Sequence, residues 1–234
     1  MSIMAQRAII EEVYPSCSPF KTSMGIHERK EREKSRKREV ILKAAEKVFF
    51  KNGFENTTMD EIAQKAEYSK GTLYLYFKNK DELYAAIMLR SIDIFIKIIN
   101  QEISKAKGGR EKLAAIKTAY LKFYINHPDH MKVFLFASTY IFRMQNEKNN
   151  EIMDAIVEKD KIFKGIISSI IDAARRDGTV KEMGISGNTE EIFQAGGLVL
   201  NGIFKNIIDL ETVFTSFQIK PENAVELAYR ILRF

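Results

Sequence analysis

Residues 57–83 read TTMDEIAQKAEYSKGTLYLYFKNKDEL, and the order of caps and apolar residues within this stretch decides the fold. Thr58 is a residue type favoured at helix N-caps, and Glu61 completes a capping box three positions later. Four apolar residues then recur at helical spacing: Met59, Ile62, Ala63 and Ala66. This pattern lasts about two turns. We therefore predict a short helix that ends near Glu67.

A second short helix follows after a tight turn. Ser69 is able to cap it, and Leu73 and Phe77, four residues apart, share one inward face. The side chains left on the other faces are polar or aromatic: Lys70, Thr72, Tyr74 and Tyr76. Two short helices joined by a turn, with polar side chains on the second, are typical of a DNA-reading helix-turn-helix.

The segment before this unit predicts a longer amphipathic helix. Apolar residues recur at three- and four-residue steps, at Ile41, Ala44, Ala45, Val48 and Phe49. Gly53 is placed to end the helix, since glycine is favoured immediately after a helix C-terminus. We expect this helix to brace the two that follow.

Composition bounds the class of protein. The chain has 234 residues, 45% hydrophobic content, 4 Pro and 12 Gly, which disfavours a loop-rich all-β fold, and we predict an all-α protein. The single Cys17 excludes an internal disulfide and fits a reducing compartment. No apolar run approaches the length of a membrane span, and charged residues interrupt the N-terminus where a signal peptide would lie. We expect a cytoplasmic protein with no membrane association.

The positive charge is concentrated near the helix-turn-helix. Residues 28–80 contain 14 Lys and Arg against 9 Asp and Glu, whereas residues 81–234 contain 21 against 20. A basic small domain beside a nearly neutral large one points to a polyanionic partner, although such an excess is also compatible with ordinary solubility charge. We predict a DNA-binding domain over residues 28–80 and a helical domain over 81–234.

Residues 1–27 are predicted to be a poorly ordered leader, because prolines and serines between Pro15 and Pro19 interrupt any helical pattern. Met24 begins a segment typical of a protein start. We expect Met24 to be the native first residue, which intact mass of the native protein would test.

The basic run RKEREKSRKR at residues 29–38 has two interpretations. Glu and Lys/Arg alternate at spacings that support a solvated helix. The same charges would also suit an arm that touches DNA phosphates or the adjacent minor groove.

Residues 37–84 resemble the DNA-binding domain of the TetR family of bacterial transcriptional regulators. The resemblance lies in the alanines and aromatics of residues 41–49, Gly53-Phe54, the TT and IA motifs of residues 57–66, SKGTLYLYF at 69–77, and the K-x-K-x-x-L pattern of 78–83. The family often has glycine in the turn where this chain has Glu67. If that residue is left-handed, the cost is about 1 kcal/mol.

The resemblance implies DNA contacts that the chemistry of each residue can support. Lys70 and Thr72 lie in the first turn of the second helix, where lysine donates to guanine acceptors and a threonine methyl contacts a thymine methyl. Gly71 permits close approach to a phosphate. The other predicted contacts are Thr58, Ser69, Tyr74, Tyr76 and Lys80, of which Lys80 matches a phosphate-binding lysine of the family. For the two tyrosines, core packing is the alternative.

From Asp81, which we expect to cap a long helix, the sequence predicts further amphipathic helices. Residues 120–144 are rich in aromatic and methionine side chains, which more often form plain core but also suit an apolar pocket. The family fold uses this region for its effector. The predicted pocket residues are Tyr120, Phe123, Tyr124, Phe134 and Tyr140, and the predicted effector is a small hydrophobic ligand such as an acyl compound or a drug.

The last two predicted helices are candidates for a homodimer interface. Small residues around Gly197 allow close helix approach, and the predicted interface residues are Gly197, Leu200, Phe204, Leu227 and Ile231. An isologous dimer would hold two DNA heads about 34–36 Å apart, matching a palindromic operator. The alternative is a hairpin packed within one chain.

The function predicted from these patterns is a ligand-responsive transcriptional regulator, acting as a repressor that a small hydrophobic effector releases from DNA. The alternative is a constitutive DNA-binding or architectural protein without an effector. No catalytic motif supports an enzyme, and we expect no cofactor. His127 and His130 are separated by a proline break rather than placed on one helix face, so we expect no metal site.

Overall fold

The structure is a computed structural model that describes residues 19–136 and 151–210, together with Lys220 and Asn223, with side chains from Gly25 onward. These residues form α-helices joined by turns, and none of them lies in a strand, which confirms the predicted all-α class. The chain divides into two compact units after Asn79.

The described residues of the first unit, 19–79, form three helices, α1 (Pro19–Asn52), α2 (Met59–Ala66) and α3 (Lys70–Tyr74). Helix α1 ends where the sequence predicts. Gly53 adopts a φ of 77°, and its N–H donates to the Phe49 carbonyl at 2.8 Å. A residue with a Cβ would be strained in this left-handed conformation, so the glycine accounts for the end of the helix.

The apolar positions of all three helices meet in one small core. Its buried side chains are Ile41, Leu42, Ala44, Ala45, Val48, Phe49, Met59, Ile62, Ala63, Ala66, Leu73 and Phe77. The Arg38 guanidinium lies over the Phe77 ring, 4.7 Å from its centroid. This contact adds a cation–π attraction between α1 and the segment that follows α3.

The structure corrects the predicted leader at its C-terminal end. Helix α1 begins at Pro19, so residues 19–27 are helical rather than irregular. Proline is tolerated here because the first turn of a helix leaves N–H groups without intrahelical partners. An ion pair between Glu28 and Arg32, one turn apart at 3.3 Å, then supports the exposed helix. Residues 1–18 lie outside the described residues.

The described residues of the second unit form α4 (Lys80–Ile103), α5 (Gly109–Asn126), α6 (Pro128–Leu135), α7 (Glu151–Arg176), α8 (Thr179–Glu182) and α9 (Thr189–Asp209). Asp81 lies within the first turn of α4 instead of capping it, where a carboxylate still favours the positive end of the helix. Helix α8 is not predicted by the sequence, because four residues are too few to show a helical period. Among the described helices, none combines the length and the apolar character that crossing a membrane requires.

Phe95 of α4 lies near the centre of the second unit's core. Its ring contacts those of Tyr120, Phe123, Phe134 and Phe163, with centroid separations between 4.7 and 5.5 Å. These separations are within the range of favourable aromatic pairs. Helices α4, α5, α6 and α7 are therefore held together by one aromatic cluster.

A second junction joins the start of α5 to the end of α7. The Asp177 carboxylate accepts hydrogen bonds from the N–H groups of Gly109, at 2.6 Å, and Thr179, at 3.1 Å. Hydrogen bonds from the Thr179 side chain and these two N–H groups hold the pKa of Asp177 below its usual value. Glycine is required at position 109, since a Cβ there would lie 2.4 Å from the Cα of Ala174.

Candidate nucleic-acid interface

Helix α2 begins with the predicted capping box. The Thr58 hydroxyl accepts from the Glu61 N–H at 3.2 Å, and the Glu61 carboxylate accepts from the Thr58 N–H at 2.8 Å. The hydroxyl itself donates to Glu61 at 2.9 Å. These bonds from Thr58 lower the pKa of Glu61. The single hydroxyl proton of Thr58 is donated to Glu61, so Thr58 acts first as a helix cap. A DNA phosphate would have to compete with the Glu61 carboxylate for that proton.

The turn between α2 and α3 contains a left-handed residue. Glu67 has φ 59° and ψ 35°, and it is the only non-glycine residue with positive φ among those that the structure describes. The N–H groups of Glu67 and Tyr68 donate to the carbonyls at the end of α2, at 3.1 and 3.0 Å. This hydrogen bonding holds the sharp turn in spite of the Cβ, and the left-handed conformation is the one considered for this position from the sequence.

Helix α3 starts at the predicted cap. The Ser69 hydroxyl accepts from the Thr72 N–H at 3.1 Å and lies 2.8 Å from the Thr72 hydroxyl. Leu73 and Phe77 are buried at 0% and 1% exposure, as their spacing predicts. This anchoring fixes which side chains of α3 face solvent.

Six of the eight residues predicted to contact DNA lie within α3 or within two residues of its ends. Lys70, Gly71 and Tyr74 are exposed, whereas Thr72 and Tyr76 are half-buried. A Cβ at Gly71 would meet only the Ser69 hydroxyl, at 3.9 Å, so packing within the unit does not require glycine there. A requirement for close approach by a partner would explain it. Lys80 lies in the second unit, as the first residue of α4.

Two residues of this surface are missing from the sequence-based set. Leu75 is 82% exposed, the largest exposure among the described large apolar side chains. In the sequence, Leu75 does not share the helix face of Leu73 and Phe77, and this offset indicates an exposed side chain. Asp60 of α2 forms an ion pair with Lys70, at 2.7 Å. Sequence spacing gives no sign of this pair, because the two residues lie on different helices.

The predicted effector residues lie in the aromatic core of the second unit. Tyr120, Phe123 and Tyr124 are buried, and Phe134 is half-buried against them. The Tyr120 hydroxyl donates to the Asn201 side-chain oxygen at 3.3 Å, and burial raises the pKa of Tyr120, which keeps the phenol protonated. Tyr140 lies outside the described residues. The structure therefore brings four of the five residues into one core, where the Phe134 ring contacts those of Tyr120 and Phe123, and the Tyr124 ring contacts that of Phe204.

The predicted dimer residues separate into different environments. Gly197 and Leu200 are half-buried on α9, beside Leu198, which is 78% exposed. Phe204 is a correction to the predicted interface, because its side chain is fully buried between Tyr120 and Tyr124, with ring centroids 5.5 and 5.7 Å away. Its side chain has no surface to offer a partner. Leu227 and Ile231 lie outside the described residues.

Residues 41–87, which include α2, α3 and the start of α4, match the model of the bacterial regulatory proteins of the tetR family. This segment is a TetR-family DNA-binding domain. The match agrees with the helix-turn-helix geometry of the first unit, and it confirms the resemblance found in the sequence.

Two relatives match over part of the chain. It is 33% identical to the transcriptional activator FasR of Mycolicibacterium smegmatis over 109 residues, which are 47% of this chain and about half, 49%, of FasR. It is 28% identical to the fatty acid metabolism regulator protein of Bacillus subtilis over 143 residues, covering 61% of this chain and 70% of that protein.

A solved structure shows that the fold extends beyond the helix-turn-helix. The chain superposes on the transcriptional regulator FadR from Bacillus subtilis, crystallised with stearoyl-CoA, with a TM-score of 0.60. The superposition covers 83% of this chain and 95% of FadR, at 20% sequence identity. At this identity the likeness establishes the fold alone.

Proposed function

We propose that this TetR-family protein is a cytoplasmic homodimeric repressor that binds a palindromic operator through residues 28–80 and responds to a small hydrophobic effector through residues 81–234. The observation that carries the proposal is that residues 70–77, which comprise α3 and the three residues after it, divide into a buried and an exposed side. Leu73 and Phe77 are buried, while Lys70 and Tyr74 face solvent. A short helix anchored in this way is suited to enter a DNA major groove.

In this proposal Lys70 and Thr72 read base edges. The Lys70 ammonium suits the guanine O6 and N7 acceptors, and the Thr72 methyl suits a thymine methyl. Leu75, exposed at the C-terminal end of α3, offers a further apolar contact to bases or sugars. Tyr74, Tyr76 and Lys80 contact phosphates, and Ser69 and Thr58 hold the two helices in shape.

We propose that the effector is a fatty acyl compound. The cluster around Phe95 and Tyr120 offers apolar lining with one internal polar pair, Tyr120 and Asn201. Apolar walls with few placed polar groups are typical of ligand pockets. The stearoyl-CoA bound by FadR is consistent with this class.

An effector bound in this cluster would have to separate rings that now touch. Phe95 belongs to α4, which begins directly after the DNA-binding unit in sequence. A ligand that favours a displaced α4 would shift the population toward a state in which the two DNA-binding units of the dimer are spaced differently. Operator affinity would then fall by the ligand's differential affinity for the two states. Repression with release on binding follows from this coupling.

The test begins with selection of genomic fragments by the purified full chain, followed by footprinting of the selected site. Binding to that site is then titrated with stearoyl-CoA, with free coenzyme A as the matched control. We expect a palindromic footprint and release by the acyl compound only. A footprint without symmetry would contradict the dimer, and binding strengthened by the acyl compound would contradict repression.

The second candidate is a constitutive DNA-binding protein without an effector. The observation that favours it is the direct ring contact among predicted pocket residues, with the Phe134 centroid 6.3 Å from that of Tyr120 and 5.8 Å from that of Phe123. If acyl compounds of different chain lengths leave both operator affinity and thermal stability unchanged, this candidate replaces the first, since a ligand that binds the native state must stabilise it.

A further inference from the structure

The first part of α1 extends beyond the core of the DNA-binding unit. Every residue from Gly25 to Arg36 is exposed, and burial begins only near Ile41. Twelve helical residues correspond to about 18 Å at a rise of about 1.5 Å per residue. Ion pairs one turn apart, Glu28–Arg32 at 3.3 Å and Glu33–Lys37 at 2.8 Å, support this segment. The basic run is therefore a helix, as one of its two interpretations predicts.

Three arginines lie along one face of this helix. Arg29, Arg32 and Arg36 are spaced by three and four residues, so their side chains project from the same side. With Glu33, Lys37, Val40 and Tyr68 they line an open groove. Tyr68 belongs to the turn between α2 and α3, so the arginine face lies on the side of α1 that borders the helix-turn-helix.

Lys37 connects this face to the predicted DNA-contacting surface. The pKa of Lys37 is raised first by its hydrogen bond and charge interaction with Glu33, and further by Tyr68 and Tyr76. Tyr76 is one of the proposed phosphate contacts. Lys37, which lines the groove with the arginines and Tyr68, therefore also lies near enough to Tyr76 for a charge interaction.

We propose that Arg29, Arg32 and Arg36 of α1 contact the phosphates of the DNA duplex that flanks the recognition site. The inference rests on the proposed DNA-binding function and extends its surface. The duplex is the occupant that the charge favours, since it offers a row of phosphates to a row of guanidinium groups. A helix is about 10–12 Å wide and the minor groove about 6 Å, so this segment stays outside the groove. Its contacts add affinity without reading sequence.

The experiment compares two double variants of the full chain that remove equal charge from two different faces of the same helix. R29Q/R36Q changes the arginine face, and K30Q/K34Q changes cations about a third of a turn away. None of the four side chains takes part in the Glu28 or Glu33 ion pairs, and glutamine keeps helix propensity. Helicity of both variants is checked by circular dichroism.

The measurement is the salt dependence of binding to two duplexes: the selected site with flanks of about 15 base pairs of mixed sequence on each side, and the same site trimmed to its footprint core. We expect R29Q/R36Q to make the slope of log K against log salt less negative, by about 0.9 for each phosphate that one DNA-binding unit no longer neutralises. The reduction should appear on the long duplex and disappear on the trimmed one, while K30Q/K34Q has a small effect on both.

Other outcomes overturn the inference. Equal slope changes for the two variants would mean that the segment acts only through its overall charge. A weakening with R29Q/R36Q that persists on the trimmed duplex would place the arginines on the core site instead of the flanks. If the unmodified protein binds neither duplex, the proposed DNA-binding function itself fails, and the inference fails with it.

Discussion

Lys70 and Asp60 form an ion pair between the two helices of the helix-turn-helix, with 2.7 Å between Nζ and Oδ1. The hydrogen bond to Asp60 is the main cause of the raised pKa of Lys70. Both side chains are more than half exposed, so the pair is screened by water and is easily exchanged for another partner. In the free protein the proposed base-reading lysine is therefore held by a carboxylate that DNA would have to displace.

The first prediction concerns this pair. Lys70→Ala should weaken specific binding by about ten- to a hundred-fold and relax one base position, because the lysine ammonium is proposed to bind a base edge. Asp60→Asn should strengthen binding to all sequences, because it removes a negative charge and releases the lysine. Gel-shift titrations on the selected operator and on mixed-sequence DNA measure both effects.

The double variant that combines Asp60→Asn with Lys70→Ala is the control. If Asp60 acts through Lys70, the gain from Asp60→Asn should shrink in the Lys70→Ala background, since interacting residues are not additive. An undiminished gain would show that Asp60 acts only by repelling phosphates. An unchanged footprint and affinity for Lys70→Ala would contradict its reading role.

The second prediction concerns the packing of Gly109 against α7. Gly109→Ala should lower the free energy of unfolding by about 1–3 kcal/mol, the usual cost of overpacking, because the new Cβ would lie 2.4 Å from the Ala174 Cα and 2.6 Å from an Asp177 oxygen. Thermal or urea unfolding measures the change. Gly165→Ala is the matched control within α7, where a Cβ meets no atom within 4 Å. It should be neutral or stabilising, as alanine favours helices.

The third prediction separates the core of the second unit from its proposed dimer surface. Phe204→Ala should lower the free energy of unfolding by about 3–5 kcal/mol, because the ring is fully buried between Tyr120 and Tyr124. Leu198→Lys should leave the stability of the single chain nearly unchanged, because Leu198 is 78% exposed.

Light scattering completes this comparison. We expect Leu198→Lys to shift the proposed dimer toward monomer, since it places a charge at an apolar position of the α9 surface. A dimer of unchanged affinity would exclude this part of α9 from the interface. A variant of Phe204 with unaltered stability would contradict its assignment to the core.

The fourth prediction concerns pH. Ser91 donates to the Ile87 carbonyl at 2.9 Å, so the His130 Nδ1, 2.9 Å from the Ser91 hydroxyl oxygen, is the donor in their contact. Burial, then the neighbouring His127 and Arg90, lower the pKa of His130 from 6.5 to about 4. The folded protein therefore favours neutral His130. The stability that depends on the neutral ring is fully present above pH 6.5 and is lost as the pH falls toward about 4.

The measurement is the free energy of unfolding of the second unit between about pH 7 and about pH 4, the range through which the unfolded and folded rings titrate, compared with that of His130→Gln. We expect the unmodified protein to lose stability more steeply with falling pH than the variant, which carries no titrating ring at this position. Parallel curves would show that other groups account for the acid sensitivity.

The sequence determined the helix-turn-helix because the interactions that define it are local. The capping box of Thr58 and Glu61, the Ser69 cap and the Leu73/Phe77 face each span three or four residues, and a helix brings residues at that spacing together whatever the rest of the chain does. The same local rules placed Gly53 at the end of α1. They also supplied the motifs by which the chain resembles the TetR family.

Only the tertiary structure decided the features that depend on residues far apart in sequence. An apolar stripe does not say which neighbour covers it, so the spacing predicts a dimer surface for Phe204, whereas packing within the chain buries it in the core. Gly109 is required because of Ala174, 65 positions away, and Asp60 approaches Lys70 only because the Glu67 turn sets the two helices side by side. Periodicity fixes the face of a helix; packing between helices fixes what that face touches.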